Sequence, residues 1–318
     1  MHVLVGGSWT EDEKTFLTAL LTGATPVFLS DTPSPESIRR CEAVLVMSWK
    51  EVAPHVPHMP RLALVQSFMA GVERIPLAAI PPQVTVATGA GSNAAAVAEH
   101  AWALLSALAK DLRCQDRRLR EGTFSQDGYH GVLLEGKTLC IVGYGHVGSR
   151  VGRMARAAGM RTIAVNTSGA SDADRTVTSD GLLGALSSAH AVVLAVAHTP
   201  ATEGLIGTSE LEALPDDALF VNVARGPVVD EDALYRHLAA RPSFRAGLDV
   251  WWRYPRNDEP WSQGHPFETL ENVIITPHIA GLAEGWKPAM LRTAADNVTR
   301  ALRGEPVRNV VDRSAYLI

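Results

Sequence analysis

Short apolar runs recur along the chain, separated by polar stretches rich in turn-forming residues. The first series is His2-Val-Leu-Val5, Pro26-Val-Phe-Leu29, Ala43-Val-Leu-Val46, Leu62-Ala-Leu-Val65 and Val84-Thr-Val-Ala87. These runs are continuous rather than alternating, which predicts strands covered on both faces, as in parallel sheets. Between them lie Pro- and Ser-rich turns and short helical segments such as Pro35 to Arg40, and Trp9-Thr-Glu-Asp-Glu13 reads as a capped helix start. A long helix follows, with Val97, Ala101, Leu104, Leu105, Leu108 and Leu112 on one face, and a first domain boundary is expected near it. The polar, arginine-rich region from Arg113 to Glu135 reads as a solvated connector. A second series then begins: Leu139 to Val142, Thr162 to Val165, Ala191 to Val196, Ala218 to Ala224, Ala246 to Val250 and Asn272 to Thr276. Helical patterns such as Asp230 to Ala240 separate most of these runs. A closing helix, Ala289 to Leu302, carries Met290, Leu291, Ala294, Val298 and Leu302 on one face and ends at Gly304 and Pro306. Strands alternating with helices predict an α/β protein built on two parallel sheets.

One stretch carries chemistry of its own. Leu139 to Val142 runs into Gly143-Tyr-Gly-His-Val-Gly148, and the residues beyond it (Val147, Val151, Met154, Ala155, Ala158) share a helix face. Strand, glycine turn and helix in that order form a dinucleotide-binding fingerprint. Gly143 permits the tight turn, Gly145 lets backbone approach a pyrophosphate, and Gly148 lets the helix pack on the strand. Unpaired N–H groups at the helix start favour phosphate.

Composition narrows the field without adding a site. Hydrophobic residues make up 46% of the 318 and charged residues 20%, enough for two cores of ordinary globular character. A net charge of −5 shows no footprint for nucleic acid or a membrane surface. Cys41, Cys114 and Cys140 are too few and scattered for a disulfide framework or a metal site, and Cys140 reads as a buried apolar residue within its strand. Neither a signal peptide nor an apolar run of membrane length is visible, so a soluble, cytoplasmic protein is expected.

Taken together, the motifs resemble the D-isomer-specific 2-hydroxyacid dehydrogenase family over nearly the whole chain. The matching pieces are Ala70-Gly-Val72, Val97-Ala-Glu-His100, the glycine loop, His198-Thr-Pro-Ala-Thr202, Asn222-Val-Ala-Arg-Gly226 with Val229-Asp-Glu231, Gly247-Leu-Asp-Val250 and Thr276-Pro-His-Ile-Ala-Gly281. The resemblance implies two Rossmann-like or flavodoxin-like domains with the cofactor domain inserted into the substrate domain: residues 1–95 with 285–318 for substrate, and 96–284 for the dinucleotide. It also implies a homodimer acting on a small 2-keto or 2-hydroxy acid. Reduction of a 2-keto acid needs a hydride donor, a cation for the carboxylate and an acid for the carbonyl oxygen. Arg225, just past a strand end, suits the second role through its bidentate fork, and His278, past the last strand, suits the third. By the match, Ala70 and Gly71 supply backbone donors for the carboxylate. Asn93 either contacts substrate or caps the following helix. Cofactor contacts are implied at Gly143, Tyr144, Gly145, His146, Val147 and Gly148, at Asn166, Thr167 and Ser168, at Ala197, His198, Thr199, Pro200 and Thr202, and at Val223, Ala224, Asp249 and Gly281. His198 acts there through backbone, and Asp249 fixes the nicotinamide carboxamide.

Two positions depart from the family pattern. Relatives commonly carry a glutamate, followed by proline, five residues after the Asp249 position, where it supports the charged form of the catalytic histidine. Here Tyr254-Pro255 stands at that spacing, and Glu259-Pro260 follows later. The aligned spacing favours Tyr254 as the residue beside His278, with Glu259 as the alternative. Without a carboxylate partner, reduction would fade at a lower pH than in glutamate-bearing relatives. Trp251, Trp252 and Trp261 crowd this loop, either as core or as an apolar wall of the substrate pocket. The second departure lies about twenty positions beyond the glycine loop, where an acidic residue normally accepts from the ribose hydroxyls of NAD. The strand ends instead in Asn166-Thr-Ser168, which inclines the reading to NADP while leaving NAD open, since Asn166 can also bond a ribose hydroxyl. A formate- or phosphite-type dehydrogenase and a cofactor-sensing, corepressor-like binding protein are the rival readings. Retention of both Arg225 and His278 disfavours the sensor.

Overall fold

The computed structural model describes residues 1–255 and 259–316. By contacts the chain divides into two compact units, one formed by residues 1–93 with 284–318 and the other by residues 94–283.

The first unit holds five parallel strands: β1 (His2–Val5), β2 (Thr25–Phe28), β3 (Cys41–Val46), β4 (Leu64–Ser67) and β5 (Thr85–Ala87), in the order β2-β1-β3-β4-β5. The order reverses beside β1, as in flavodoxin-like sheets. One apolar layer gathers Val3, Val5, Ala43, Leu45 and Leu64 with Met290, Leu291, Ala294 and Val298 of the closing helix, residues 286–302. The opposite layer gathers Leu4, Val44, Val46, Val65 and Val86. Alternate residues of each strand thus enter opposite cores, which is why their sequences read as unbroken apolar runs.

The second unit opens with α1 (Ala94–Ala109) and α2 (Leu112–Arg120). Its sheet comprises β6 (Thr138–Val142), β7 (Arg161–Val165), β8 (Arg175–Val177), β9 (Ala191–Leu194), β10 (Leu219–Asn222), β11 (Arg245–Leu248) and β12 (Val273–Ile275). All pairings are parallel, in the order β12-β11-β10-β9-β6-β7-β8, with the reversal between β6 and β9. This is the doubly wound nucleotide-binding order with one further strand at the edge. Helix α1 lies over β10 and β11, where a Cβ on Gly247 would stand 3.1 Å from Leu104 Cβ. Helix α3 (Gly148–Ala157) packs against α1 and β6 through Val151 and Ala155. Cys140 is fully buried in β6, and burial pushes its thiol up to about 12.

Three features differ from the sequence pattern. Leu112 does not continue the long helix: Asp111 takes a left-handed conformation (φ 49°), and α2 starts afresh with Leu112 55% exposed. The stretch read as connector therefore begins as a helix, held by ion pairs such as Arg120–Asp116 rather than by an apolar face. The edge strand β8 carries no apolar run. It is drawn in by Asp174, whose carboxylate accepts from Thr162 N (2.7 Å) and Thr162 Oγ1 (2.8 Å). Finally, β9 and β10 end before the apolar runs that announce them do, because Ala195 to Val196 and Val223 to Ala224 leave the ladder to form loops. No helix among the described residues is long and apolar enough to cross a membrane.

Candidate active site

The candidate residues of the second unit collect at the carboxyl ends of its strands. Asn222 pairs with Leu248, and Leu248 with Ile275, so Arg225, Asp249 and His278 emerge from neighbouring strands β10, β11 and β12. Gly143 emerges from β6, beside the reversal of strand order. Ligands of open α/β sheets bind at such an edge.

The glycine loop shows a distinct need at each glycine. Gly143 has φ 91°, and a Cβ there would collide with backbone of Ala195 and Val196 at the end of β9. A Cβ on Gly148 would overlap the Gly143 carbonyl oxygen, whereas one on Gly145 meets nothing within 4 Å. Gly145 thus faces open space in front of α3, whose first turn has no side-chain cap. An opened loop leading to uncapped helix N–H groups fits a dinucleotide pyrophosphate. Tyr144 folds back across Gly152, and its hydroxyl accepts from Arg156, which also pairs with Asp172. Burial raises the Tyr144 phenol above its ordinary range.

Past β7, Asn166 spends its side chain on its own turn. Oδ1 accepts from Gly169 N (2.8 Å) and Nδ2 donates to the Ala170 carbonyl (2.9 Å), while Thr167 and Ser168 are exposed. Past β9, the Thr202 hydroxyl donates to Ala197 O (2.7 Å) and accepts from Thr199 N (2.8 Å), closing the loop that carries His198 and Pro200.

Arg225 sits in a brace that the motif alone does not reveal. The fully buried Asn222 accepts from Ala224 N with Oδ1 (3.0 Å) and donates from Nδ2 to Arg225 O (3.0 Å). Gly226 follows because a Cβ there would overlap the backbone of Trp251. Val223 and Ala224 are buried, and Arg225 is half-buried. Asp249 is 1% exposed, and both its oxygens accept from the segment around His278: Oδ1 from Thr276 Oγ1 (2.6 Å) and Ile279 N (3.0 Å), Oδ2 from Ala280 N (3.0 Å). Gly281 closes that segment. His278 itself is exposed, with φ 58°.

The Tyr254 ring lies 5.4 Å from the His278 imidazole, tilted by 44°, and its hydroxyl accepts from Trp251 N (3.2 Å). Glu259 is exposed. The tryptophans are core: Trp251 is buried edge-on to Trp261, and Trp252 stacks on Phe267. Two residues not singled out as functional by sequence belong to this cluster. His100, from α1, reaches Thr276 Oγ1 at 3.1 Å. The residues proposed for the substrate carboxylate, Ala70 and Gly71, and Asn93 belong to the first unit. There the Ser67 hydroxyl accepts from Met69 N (3.1 Å), and Gly89 N donates to Met69 O (3.0 Å), shaping the loop past β4 that bears Ala70. Asn93 immediately precedes α1. Among the described residues no cluster of His, Cys, Asp and Glu could hold a metal ion.

Comparison with known proteins gives this arrangement its relatives. The family model for the D-isomer specific 2-hydroxyacid dehydrogenase NAD binding domain matches residues 102–280. The chain is 32% identical over 282 residues to a D-3-phosphoglycerate dehydrogenase of Archaeoglobus fulgidus, covering 86% of this chain and 52% of that protein. It is 31% identical over 269 residues to a glyoxylate reductase of Aeropyrum pernix, covering 81% of this chain and 79% of that one. The chain thus spans about half the length of the phosphoglycerate dehydrogenases it matches, and most of the glyoxylate reductase. A D-isomer specific 2-hydroxyacid dehydrogenase from Xanthobacter autotrophicus, solved with NADPH and MES, superposes with a TM-score of 0.84 at 27% identity, covering 99% of each chain.

Proposed function

The chain belongs to the D-isomer-specific 2-hydroxyacid dehydrogenase family, and from that premise we propose that it interconverts a small 2-keto acid and a D-2-hydroxy acid. The observation that carries this reading is the alignment of Arg225, Asp249 and His278 past three adjacent strands of the sheet that bears the glycine loop. Gly143, Gly145 and the start of α3 would hold the pyrophosphate of a nicotinamide dinucleotide, which when bound would supply or accept the hydride. Arg225 grips the substrate carboxylate, and its charge stabilises the negative charge that develops as the carbonyl is reduced. His278 gives a proton to the carbonyl oxygen in reduction and takes it back in oxidation. Tyr254 walls the imidazole, a role supported by the ring contact.

The test is a spectrophotometric panel of glyoxylate, hydroxypyruvate, other 2-keto acids, 3-phosphoglycerate and formate with both cofactors. Turnover of at least one 2-keto acid is expected without any partner protein, and silence across the panel overturns the reading. His278→Asn should lower kcat by about 10²- to 10⁴-fold. Arg225→Lys keeps the charge but loses the fork, so kcat/KM should fall about tenfold or more. For His278's neighbour, the rate–pH profile decides: an unchanged profile in Tyr254→Glu together with a shifted one in Glu259→Gln identifies Glu259 as the partner.

For the cofactor we favour NADP. No carboxylate stands at position 166 to repel a 2′-phosphate, the Asn166 amide is engaged within its own turn, and Thr167 and Ser168 are exposed. The expected result is a higher kcat/KM with NADPH, and a strong NADH preference overturns it.

A further inference from the structure

His278 projects from a backbone conformation that residues bearing a side chain avoid, and the surrounding bonds show what enforces it. Its φ is 58°, in the left-handed region. The two peptide N–H groups immediately after it, of Ile279 and Ala280, both donate to the buried carboxylate of Asp249, at 3.0 Å each. A turn so pinned has little freedom to relax.

The carboxylate is in turn oriented from elsewhere. Thr276 Oγ1 donates its single proton to Asp249 Oδ1 at 2.6 Å. The same oxygen is 3.1 Å from His100 Nε2, so it must accept there, which assigns the His100 proton to Nε2. His100 Nε2 also lies 3.5 Å from Asp249 Oδ1. The Thr276 carbonyl accepts from Trp251 Nε1 at 3.0 Å, bracing the segment from its other side. Helix α1 thus reaches, through a ring and a hydroxyl, the carboxylate that shapes the turn under His278.

We propose that His100 and Thr276 are positioning residues: acting through Asp249, they hold the backbone from which His278 meets the substrate. The inference rests on His278 being the proton donor. Neither residue touches the reacting atoms; their contribution is geometry, and a displacement of about 1 Å in a reacting group can cost 10²-fold in rate.

The experiment uses the full chain, the 2-keto acid with the best turnover, and the variants Thr276→Val, Thr276→Ser, His100→Ala, His100→Gln and His278→Asn. Thr276→Val should lower kcat about 10- to 100-fold with the cofactor Kd changed less than about twofold, and its solvent isotope effect on kcat should rise as proton transfer becomes more limiting. Thr276→Ser keeps the hydroxyl and should restore most of the rate. His100→Gln, whose amide N–H can reach the same oxygen, should exceed His100→Ala. Independently of turnover, the ¹³Cα resonance of His278 in histidine-labelled protein reports its φ; it should move in Thr276→Val and stay in Thr276→Ser. Wild-type kcat in Thr276→Val, a cofactor Kd that rises in step with the loss, or serine no better than valine overturns the positioning role. If His278→Asn keeps full activity, the reading of His278 itself fails, whereas loss in His278→Asn beside full activity in Thr276→Val removes only the inference. Should the valine variant not fold, His100→Ala against His100→Gln decides it by the same two readouts: the rate should fall further, and the His278 resonance should move further, in the alanine variant.

Discussion

Gly145 and Gly148, three residues apart in one loop, should fail in opposite ways when given a methyl group. An alanine at 148 drives its Cβ into the Gly143 carbonyl oxygen and to 3.0 Å from Ile141 Cγ2, so strand and helix must separate. We expect Gly148→Ala to cost about 1–3 kcal/mol of stability in urea unfolding without cofactor. An alanine at 145 meets no protein atom within 4 Å, so the melting curve should stay put while the cofactor Kd rises. Equal stability losses in both variants would contradict this division of labour. His237 offers a second residue-scale test. It is 6% exposed, and its Nδ1 accepts from Arg241, which leaves a buried Nε2–H without an acceptor among the described residues. Burial, aided by the Arg241 charge, holds its folded-state pKa below the ordinary range. The unfolded chain therefore takes up the proton first as pH falls. Stability from this group is intact above about 6.5 and drains away below it, down to the folded-state value. Melting temperatures between pH 8 and 5 should show that slope, and His237→Leu should flatten it; His190, also lowered by burial, accounts for part of the remainder.

At the scale of elements, what the sequence declares depends on how locally each element is held. Strands such as β6 and β10 are buried along their whole length, so apolar residues fill them except at Thr138 and Asn222, and the run is plain to read. β8 sits at the sheet edge, anchored by a carboxylate from its own loop, and leaves no such run. Helix α2 is equally quiet, since ion pairs rather than an apolar stripe support it. The glycine loop is legible because Gly143 and Gly148 each answer a local clash, while Gly145 leaves open the space in front of α3. The support under His278 is not, because His100 meets Thr276 across 176 positions and only the folded sheet brings them together. Caps behave like the glycines. Thr10 accepts from Glu13 N while the Glu13 carboxylate accepts from Thr10 N, starting the helix over residues 11–20. Thr10→Ala should cost about 1 kcal/mol, read as a lower urea midpoint with an unchanged slope.

At the scale of the whole molecule, the chain builds its first unit from both ends and its second from the middle. The seam is a buried polar pair: Asn297 of the closing helix donates to Gln66 Oε1 of β4 (2.7 Å) and accepts from Arg308 N (2.8 Å). Lys287 pairs with Glu13 near the other end of the chain. Replacing Asn297 by leucine strands the Gln66 carbonyl in the core, at a cost of about 1–3 kcal/mol visible in thermal melts. This seam also dictates a timetable. A ribosome delivers residues 94–283 as one contiguous block that can close its own sheet, but one face of β4 stays bare until the last helix has emerged. A released chain truncated after residue 285 should therefore yield a protease-resistant fragment from the middle of the sequence with a still-cleavable amino-terminal segment. Strands β1 to β5 precede the second unit in the sequence yet are covered after it.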